Sequence, residues 1–516
     1  MKSPQLSIFI FFILLTPIFL SGCTQESENK NGDEKVIVEE VIKEEIVVEK
    51  PQVKMPLSDA NYQPFPEGYG YMQNTKALQQ AIEQRDQTYI REHAWKLWAG
   101  IMQPANEIDW PLWMTWKNSS VVFNANDPMN TGGSGATNVH RTLRAMNQKN
   151  APDVNTSTPS YPVQKWIHDH FPQTLKFDPK KKTYSIKDGK YFVSNGDIMI
   201  ATESLSKEGV VDIETKQFNR QAKLNKLHKD GKNMLDVSQK TIVTKHMYWP
   251  VKQKGVTGIP VWKDNFPSSF TGYVGYEVWN TPIAINPDGS SVGQKLPVSY
   301  LYGIKNNDGS KMPTVNAEAT VYDLKDFYFH QVTKEDWKAF NDEDKAIIHA
   351  ASLWANNQPF EIGDYLVSVA MHVNTKEIPS WSLQSVWWSD TPDEGIYSEN
   401  RPELPQAEGP WKNYLMTEAY QYQPDDKGDL PIAVNPYIEG VIHPIATNCR
   451  NCHVRAGWPE KQEGSTAPGA SYQNAECKGL LTALVPEDDC FKGIMLTDYL
   501  WIIPDRATKA EKVVED

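Results

Sequence analysis

The chain has 516 residues, 40% hydrophobic and 11% aromatic, which suits one large domain or two to three ordinary ones and excludes a wholly disordered protein. Its formal net charge is -13 and no concentrated Lys/Arg stripe interrupts that balance, so a general attraction to nucleic acid is excluded. Seventeen Trp and 22 Tyr in a chain of mean hydropathy -0.55 predict a body packed with aromatic side chains, most of them core and sheet filling.

The first element is a targeting segment. Met1-Lys2 precedes an apolar run from Ile8 to Leu20 and then Leu20-Ser21-Gly22-Cys23, the layout of a signal peptide with small residues before the cut. The run is shorter than the roughly 20 residues a membrane-spanning helix needs. The last four residues resemble the bacterial lipobox, which implies removal of residues 1–22 and acylation of Cys23. Each buried acyl CH₂ adds about 0.8 kcal/mol of membrane affinity. Thr24, rather than Asp, follows the cysteine, which resembles an outer-membrane address in a Gram-negative cell. The expected location is the cell envelope, lipid-anchored, periplasmic or outer-membrane. Residues 23–58 then read as the lipidated Cys and an acidic tether, with an apolar-acidic run from Val36 to Val48.

Residues 59–430 are the expected aromatic-rich body. Two helices are predicted over 76–102, with Leu78, Ile82, Tyr89, His93 and Leu97 near one face and Asp86 as a cap between them. Gly132-Gly133-Ser134-Gly135 lacks the Lys-Ser/Thr ending of a phosphate loop and reads as a turn. His168-Asp169-His170 has no third ligand near it and reads as surface. Alternating or β-branched runs follow at Tyr184–Ile186, Ile198–Thr202, Thr241–Trp249, Tyr273–Val278 and Ala319–Tyr322, divided by Asp-Gly and Asn-Gly turns. Thr333-Lys-Glu-Asp336 has the form of a capping box opening helices that run to about Trp354. In residues 365–373 the odd positions Tyr365, Val367, Val369, Met371 and Val373 predict one strand face, and Leu366, Ser368, Ala370 and His372 the other. Ser382–Trp388 should pair with that strand, and the Pro-rich, acidic residues 391–410 should interrupt regular structure. The fold class expected is α+β, a mostly antiparallel sheet body with flanking helices and a C-terminal segment, 431–516, packed on it.

That segment holds Cys449-Arg450-Asn451-Cys452-His453 in a chain with five Cys and eleven His. The C-x-x-C-H spacing is that of c-type haem attachment: two thiols join one porphyrin, and the adjacent imidazole is the proximal iron ligand. One covalent haem c is therefore expected on Cys449, Cys452 and His453. Zinc ribbons pair their cysteines closely, whereas Cys477 and Cys490 are thirteen positions apart, so these two suit a disulfide worth about 3 kcal/mol better than a zinc site. Three residues are candidates for the sixth iron position: Met495, forty-two residues after His453; His372, on the less apolar strand face; and His443, six residues before Cys449. His372 and Met495 rank level, and an open position is a further alternative. No H-E-x-x-H, G-x-S-x-G, Walker loop or dinucleotide fingerprint is present.

With Met371-His372-Val373, Lys376-Glu377-Ile378-Pro379, Trp381, Glu439, and Cys449 to His453 with Ala456, the chain resembles a group of exported bacterial cytochrome c family proteins in which a long body precedes one C-x-x-C-H. The resemblance spans most of residues 60–505 and implies a mono-haem protein with His372 near the haem. Electron transfer with redox partner proteins is the leading expectation. The alternatives are a haem enzyme or small-ligand sensor with a substrate pocket in the body, or a binding module with haem as a switch. Nothing in the residues sets an oligomeric state.

Overall fold

The computed structural model describes residues 63–105, 111–123, 140–143, 175–178, 183–186, 191–192, 198–263, 279, 281–300, 314–340, 345, 348–349, 351–352, 355–420, 433, 435–439, 448–459 and 483–507. Cys23, the tether, the Gly132–Gly135 turn, His168, His170, the run Tyr273–Val278, His443 and Cys477 lie outside them.

An eight-stranded sheet organises the body. Its strands are β1 (Lys117–Asn118), β2 (His140–Leu143), β3 (Ile198–Leu205), β4 (Ile242–Val251), β5 (Phe329–Gln331), β6 (Tyr365–Thr375), β7 (Ser382–Trp388) and β8 (Tyr414–Ala419). They lie in the order β1-β3-β4-β6-β7-β8, with β2 also on β3 and β5 also on β6, and every pairing is antiparallel. Thr257–Pro260, Pro282–Ile285, Lys295–Tyr300 and Val315–Tyr322 form a second, four-stranded sheet, and its pairing of Val321 with Ala284 is parallel. Thr183–Ile186 belongs to a three-stranded sheet. The architecture is α+β.

Two helices precede the sheet, α1 (Thr75–Gln84) and α2 (Gln87–Ile101). Arg85 ends α1 in the left-handed region at φ 57°, and the Asp86 carboxylate then accepts the Tyr89 N–H at 3.1 Å and starts α2, which satisfies one of the orphan donors of a helix start. α2 buries Ile90, Ala94, Trp95, Leu97, Trp98 and Ile101 completely; each large apolar side chain contributes about 1.5–3 kcal/mol on burial. Leu78, Ile82 and His93 are buried as well and Tyr89 is half-buried. The Thr333–Asp336 capping box forms in full. Its helix, Lys334–Ala339, stops at Phe340, whose ψ of 134° is extended, and the described residues between 345 and 356 are helical again. Residues 391–410 carry a three-residue 3₁₀ turn, Ile396–Ser398, and no strand.

The two faces of the sheet follow from the register. Met371 pairs with His246 and Val386, and Val373 with Thr244 and Gln384. On this face the Gln384 amide donates to the Ala94 carbonyl of α2 at 3.1 Å, and Arg91 of α2 meets Glu418 at 2.6 Å. The other face presents Leu205, Val243, Leu383 and Ala419 in one row. These pack in one apolar cluster with Val454, Trp458, Met495, Leu496 and Tyr499, so the C-terminal segment and the sheet share a core.

The face assignment expected for β6 needs correction. Ser368 pairs with Tyr248 while Ala370 pairs with Met247, so Val369 is an extra residue opposite β4. A bulge of one residue inverts the parity of everything beyond it. Tyr365 and Val367 therefore share a face with His372, and Leu366 and Ser368 share one with Met371. His372 keeps Ala370 as its same-face neighbour.

Candidate functional site

The five-residue helix Cys449–His453 is one turn, begun by Asn448, whose side chain accepts the Arg450 N–H at 2.8 Å. Asn448 bridges to Ala433, and the Ala433 carbonyl accepts both the Cys449 N–H at 3.0 Å and the Cys449 thiol at 3.2 Å. Residues three and four apart share a side of a helix, which groups Cys449, Cys452 and His453. All three are partly exposed, whereas Arg450 and Asn451 between them are buried. Cys449 and Cys452 are both thiols outside any disulfide, while buried Cys490 is disulfide-bonded, its partner lying outside the described residues.

His453 is oriented from the residues that follow the second strand of a two-stranded antiparallel sheet. Gly457–Trp458 pairs with Met495–Leu496, and a side chain at Gly457 would place its Cβ 2.3 Å from Ile494 Cγ2. The close approach requires glycine. After Leu496, Asp498 and Tyr499 both take positive φ, 53° and 64°, a conformation costing about 1–2 kcal/mol for a residue with a Cβ. Asp498 holds the turn in place. Its carboxylate accepts the Val237 N–H at 2.8 Å and the Trp381 indole N–H at 3.2 Å, and it is ion-paired with Lys376. Burial pushes the Asp498 carboxyl above its ordinary pKa against the opposing pull of Lys376.

The turn delivers the Tyr499 carbonyl 2.7 Å from His453 Nδ1. A carbonyl accepts and never donates, so Nδ1 carries the proton and a neutral ring has its lone pair on Nε2. The Trp501 indole N–H meanwhile donates to the Cys452 carbonyl at 3.1 Å.

His372 stands on the same sheet face as this cluster, in a row with Lys245 on one side and Ser385 on the other. Ser385 Oγ lies 2.6 Å from His372 Nδ1, donates to the Met371 carbonyl at 3.2 Å, and accepts the Asn435 amide at 2.6 Å. With the serine hydrogen directed to Met371, His372 Nδ1 is the donor and its lone pair lies on Nε2. Asn435 caps Tyr437 and Ile438 at 3.0 and 3.1 Å and is two residues from Ala433, the partner of Cys449. A chain of bonded groups thus joins His372 to the Cys449 turn. Met495 is placed differently: it is fully buried, opposite Trp458 in the two-stranded sheet and inside the apolar cluster.

Asp498 and Tyr499 escaped the motif reading, although Lys376 and Trp381, singled out from the sequence, are the side chains that grip Asp498. Glu377 has another task, taking the Met72 N–H at 2.8 Å and His93 Nε2 at 3.1 Å. The side chain of Glu439 lies outside the described residues, and Ala456 is buried with its carbonyl accepting the Thr497 N–H at 2.9 Å. Among the described residues no three His, Cys, Asp or Glu side chains are gathered to hold a metal ion, and no helix is long and apolar enough to cross a membrane.

No protein-family model, curated protein or solved structure matches the chain.

Proposed function

We propose that the chain is an exported mono-haem cytochrome c family protein, anchored to the envelope membrane by lipid on Cys23, that carries one covalent haem c on Cys449 and Cys452 and transfers electrons to or from redox partner proteins. The supporting observation is the Cys449–His453 turn, which buries Arg450 and Asn451 and turns two thiols and an imidazole to its accessible side. This donor set fits the group: the thiols suit two thioether links, and the Tyr499 carbonyl orients His453 with Nε2 as the ligand atom. When bound, the haem supplies a one-electron ferric/ferrous couple. The chain holds and orients it, and the acidic balance of -13 favours partners with a basic surface.

Of the two side chains ranked level for the sixth position, His372 is the better candidate. It is partly exposed and its Nδ1 is held by Ser385, whereas Met495 is packed on all sides in an apolar core, and withdrawing it would leave a cavity.

The test is haem staining on a denaturing gel together with absorption spectra, oxidised and reduced, of the full chain expressed with the cytochrome c assembly machinery. Haem should migrate with the unaltered chain and be absent from the Cys449→Ser/Cys452→Ser variant, with export unchanged. Covalent haem in the double variant would overturn the assignment. Resistance of the reduced unaltered protein to carbon monoxide supports electron transfer; ready binding would replace that reading with a haem enzyme or small-ligand sensor.

A further inference from the structure

A cavity of about 350 Å³ opens on the face of the central sheet opposite the Cys449–His453 turn. Its walls include Trp113, Tyr248, Phe327 and Tyr328, and His246 of β4 lines it. His246 is 0% exposed, and neither ring nitrogen has a hydrogen-bond partner among the described residues. Trp113 stacks on it with ring centroids 3.4 Å apart and 19° between planes, and the Trp113 indole N–H is equally without a partner. Buried polar groups in native proteins are nearly always bonded, so unbonded nitrogens on two adjoining residues that line one cavity point to a bound molecule that completes them.

The chemistry of that molecule follows from the lining. Burial holds the His246 ring well below its ordinary pKa, so the imidazole is neutral and offers one donor and one acceptor. Lys325 and Glu408, both exposed and opposite in sign, are also in the lining, and His330 is engaged by Asp336 at 2.9 Å. An ionic ligand would therefore meet no matching excess of charge, and burying it unpaired is unfavourable. The volume is at the small end of the roughly 300–1,000 Å³ of ligand pockets, and aromatic walls favour a flat ring.

We propose that this cavity binds a small uncharged aromatic molecule bearing a hydroxyl group, its ring against the aromatic walls and its hydroxyl on His246. A hydroxyl can both donate and accept, which suits a neutral imidazole beside an indole N–H. The site does not depend on haem attachment, and it lies behind the sheet rather than over the Cys449–His453 turn.

Calorimetric titration of the full chain with 4-methylphenol, toluene and benzoate tests this. 4-Methylphenol should bind about tenfold or more tighter than toluene, the effect of one hydrogen bond to a buried group, and benzoate should not compete. In His246→Leu the two neutral probes should bind within about twofold of each other. Equal affinities for the unaltered chain, or no binding of either neutral probe at millimolar concentration, would overturn the proposal. Should the variant not fold, the comparison of 4-methylphenol with toluene on the unaltered chain decides the question.

Discussion

His246 and His372 sit one register step apart on neighbouring strands and face opposite sides of the central sheet, because His246 pairs with Met371 and His372 with Lys245. The cavity and the Cys449–His453 turn are consequently back to back, with β4 and β6 as the partition. If each histidine serves the site on its own face, their effects should separate. On the proposed haem assignment, His372→Ala in the loaded protein should give a high-spin ferric spectrum and carbon monoxide binding, with 4-methylphenol affinity altered by less than about twofold. His246→Leu should leave the visible spectrum in place and abolish the preference for the hydroxyl. Optical titrations of both variants check this, and a variant that moved both readouts would show that the sheet does not insulate the two sites.

His246 also predicts a stability effect of unusual sign. A fully buried ring with two unbonded nitrogens carries a desolvation penalty that apolar replacement removes. His246→Leu is expected to stabilise the fold by about 1 kcal/mol in the absence of ligand, the desolvation gain being partly offset by lost stacking on Trp113. Urea unfolding followed by tryptophan fluorescence measures it. A loss of several kcal/mol would identify His246 as a structural residue.

Asp498 links the body to the Cys449–His453 turn through Lys376 and Trp381, and both members of the ion pair are almost wholly buried. Removing one partner strands a buried charge, whereas replacing both with apolar groups relieves two desolvation costs. Asp498→Ala should cost about 3–5 kcal/mol, and Lys376→Met/Asp498→Leu should recover most of that loss. Equilibrium unfolding of the three proteins reads the difference. A double variant as unstable as the single one would assign the role to the Val237 and Trp381 bonds instead of the charge pair.

What was legible in the sequence is what depends on neighbours along the chain. Asp86 and Thr333 announce helix starts because a capping side chain acts within three residues, and β4 and β6 are visible as long β-branched runs. The face change at Val369 is hidden, since a bulge is defined by the count of residues on the partner strand. The Cys449–His453 motif was plain, yet the groups that aim His453 were not: Lys376 and Asp498 are 122 positions apart, and nothing local marks the Tyr499 carbonyl as the acceptor that orients that ring. The same limit concealed His246, which reads as an ordinary strand residue until Trp113 is laid on its face.

Asp336 offers a pH test of a cap read directly from the sequence. Burial alone would raise its carboxyl, but hydrogen bonds from His330 and Thr333, with the His330 charge, outweigh burial and hold it below its ordinary 3.8. The bonds are 2.9 Å from His330 Nε2, and 2.8 Å each from the Thr333 N–H and hydroxyl. A carboxyl depressed in the folded state binds its proton more weakly there than in the unfolded chain. Its contribution is therefore full above the unfolded value and is lost as pH falls through the folded one. Asp336→Asn should cost about 1.5–3 kcal/mol near pH 6, the range for bonds to a charged group, and the gap from the unaltered chain should narrow as pH falls below 3.8. Urea midpoints of both proteins between about pH 6 and pH 3 cover that window. A gap that stays constant to the acid end would mean that the cap acts through shape and neutral hydrogen bonds, and that the charge on Asp336 contributes nothing.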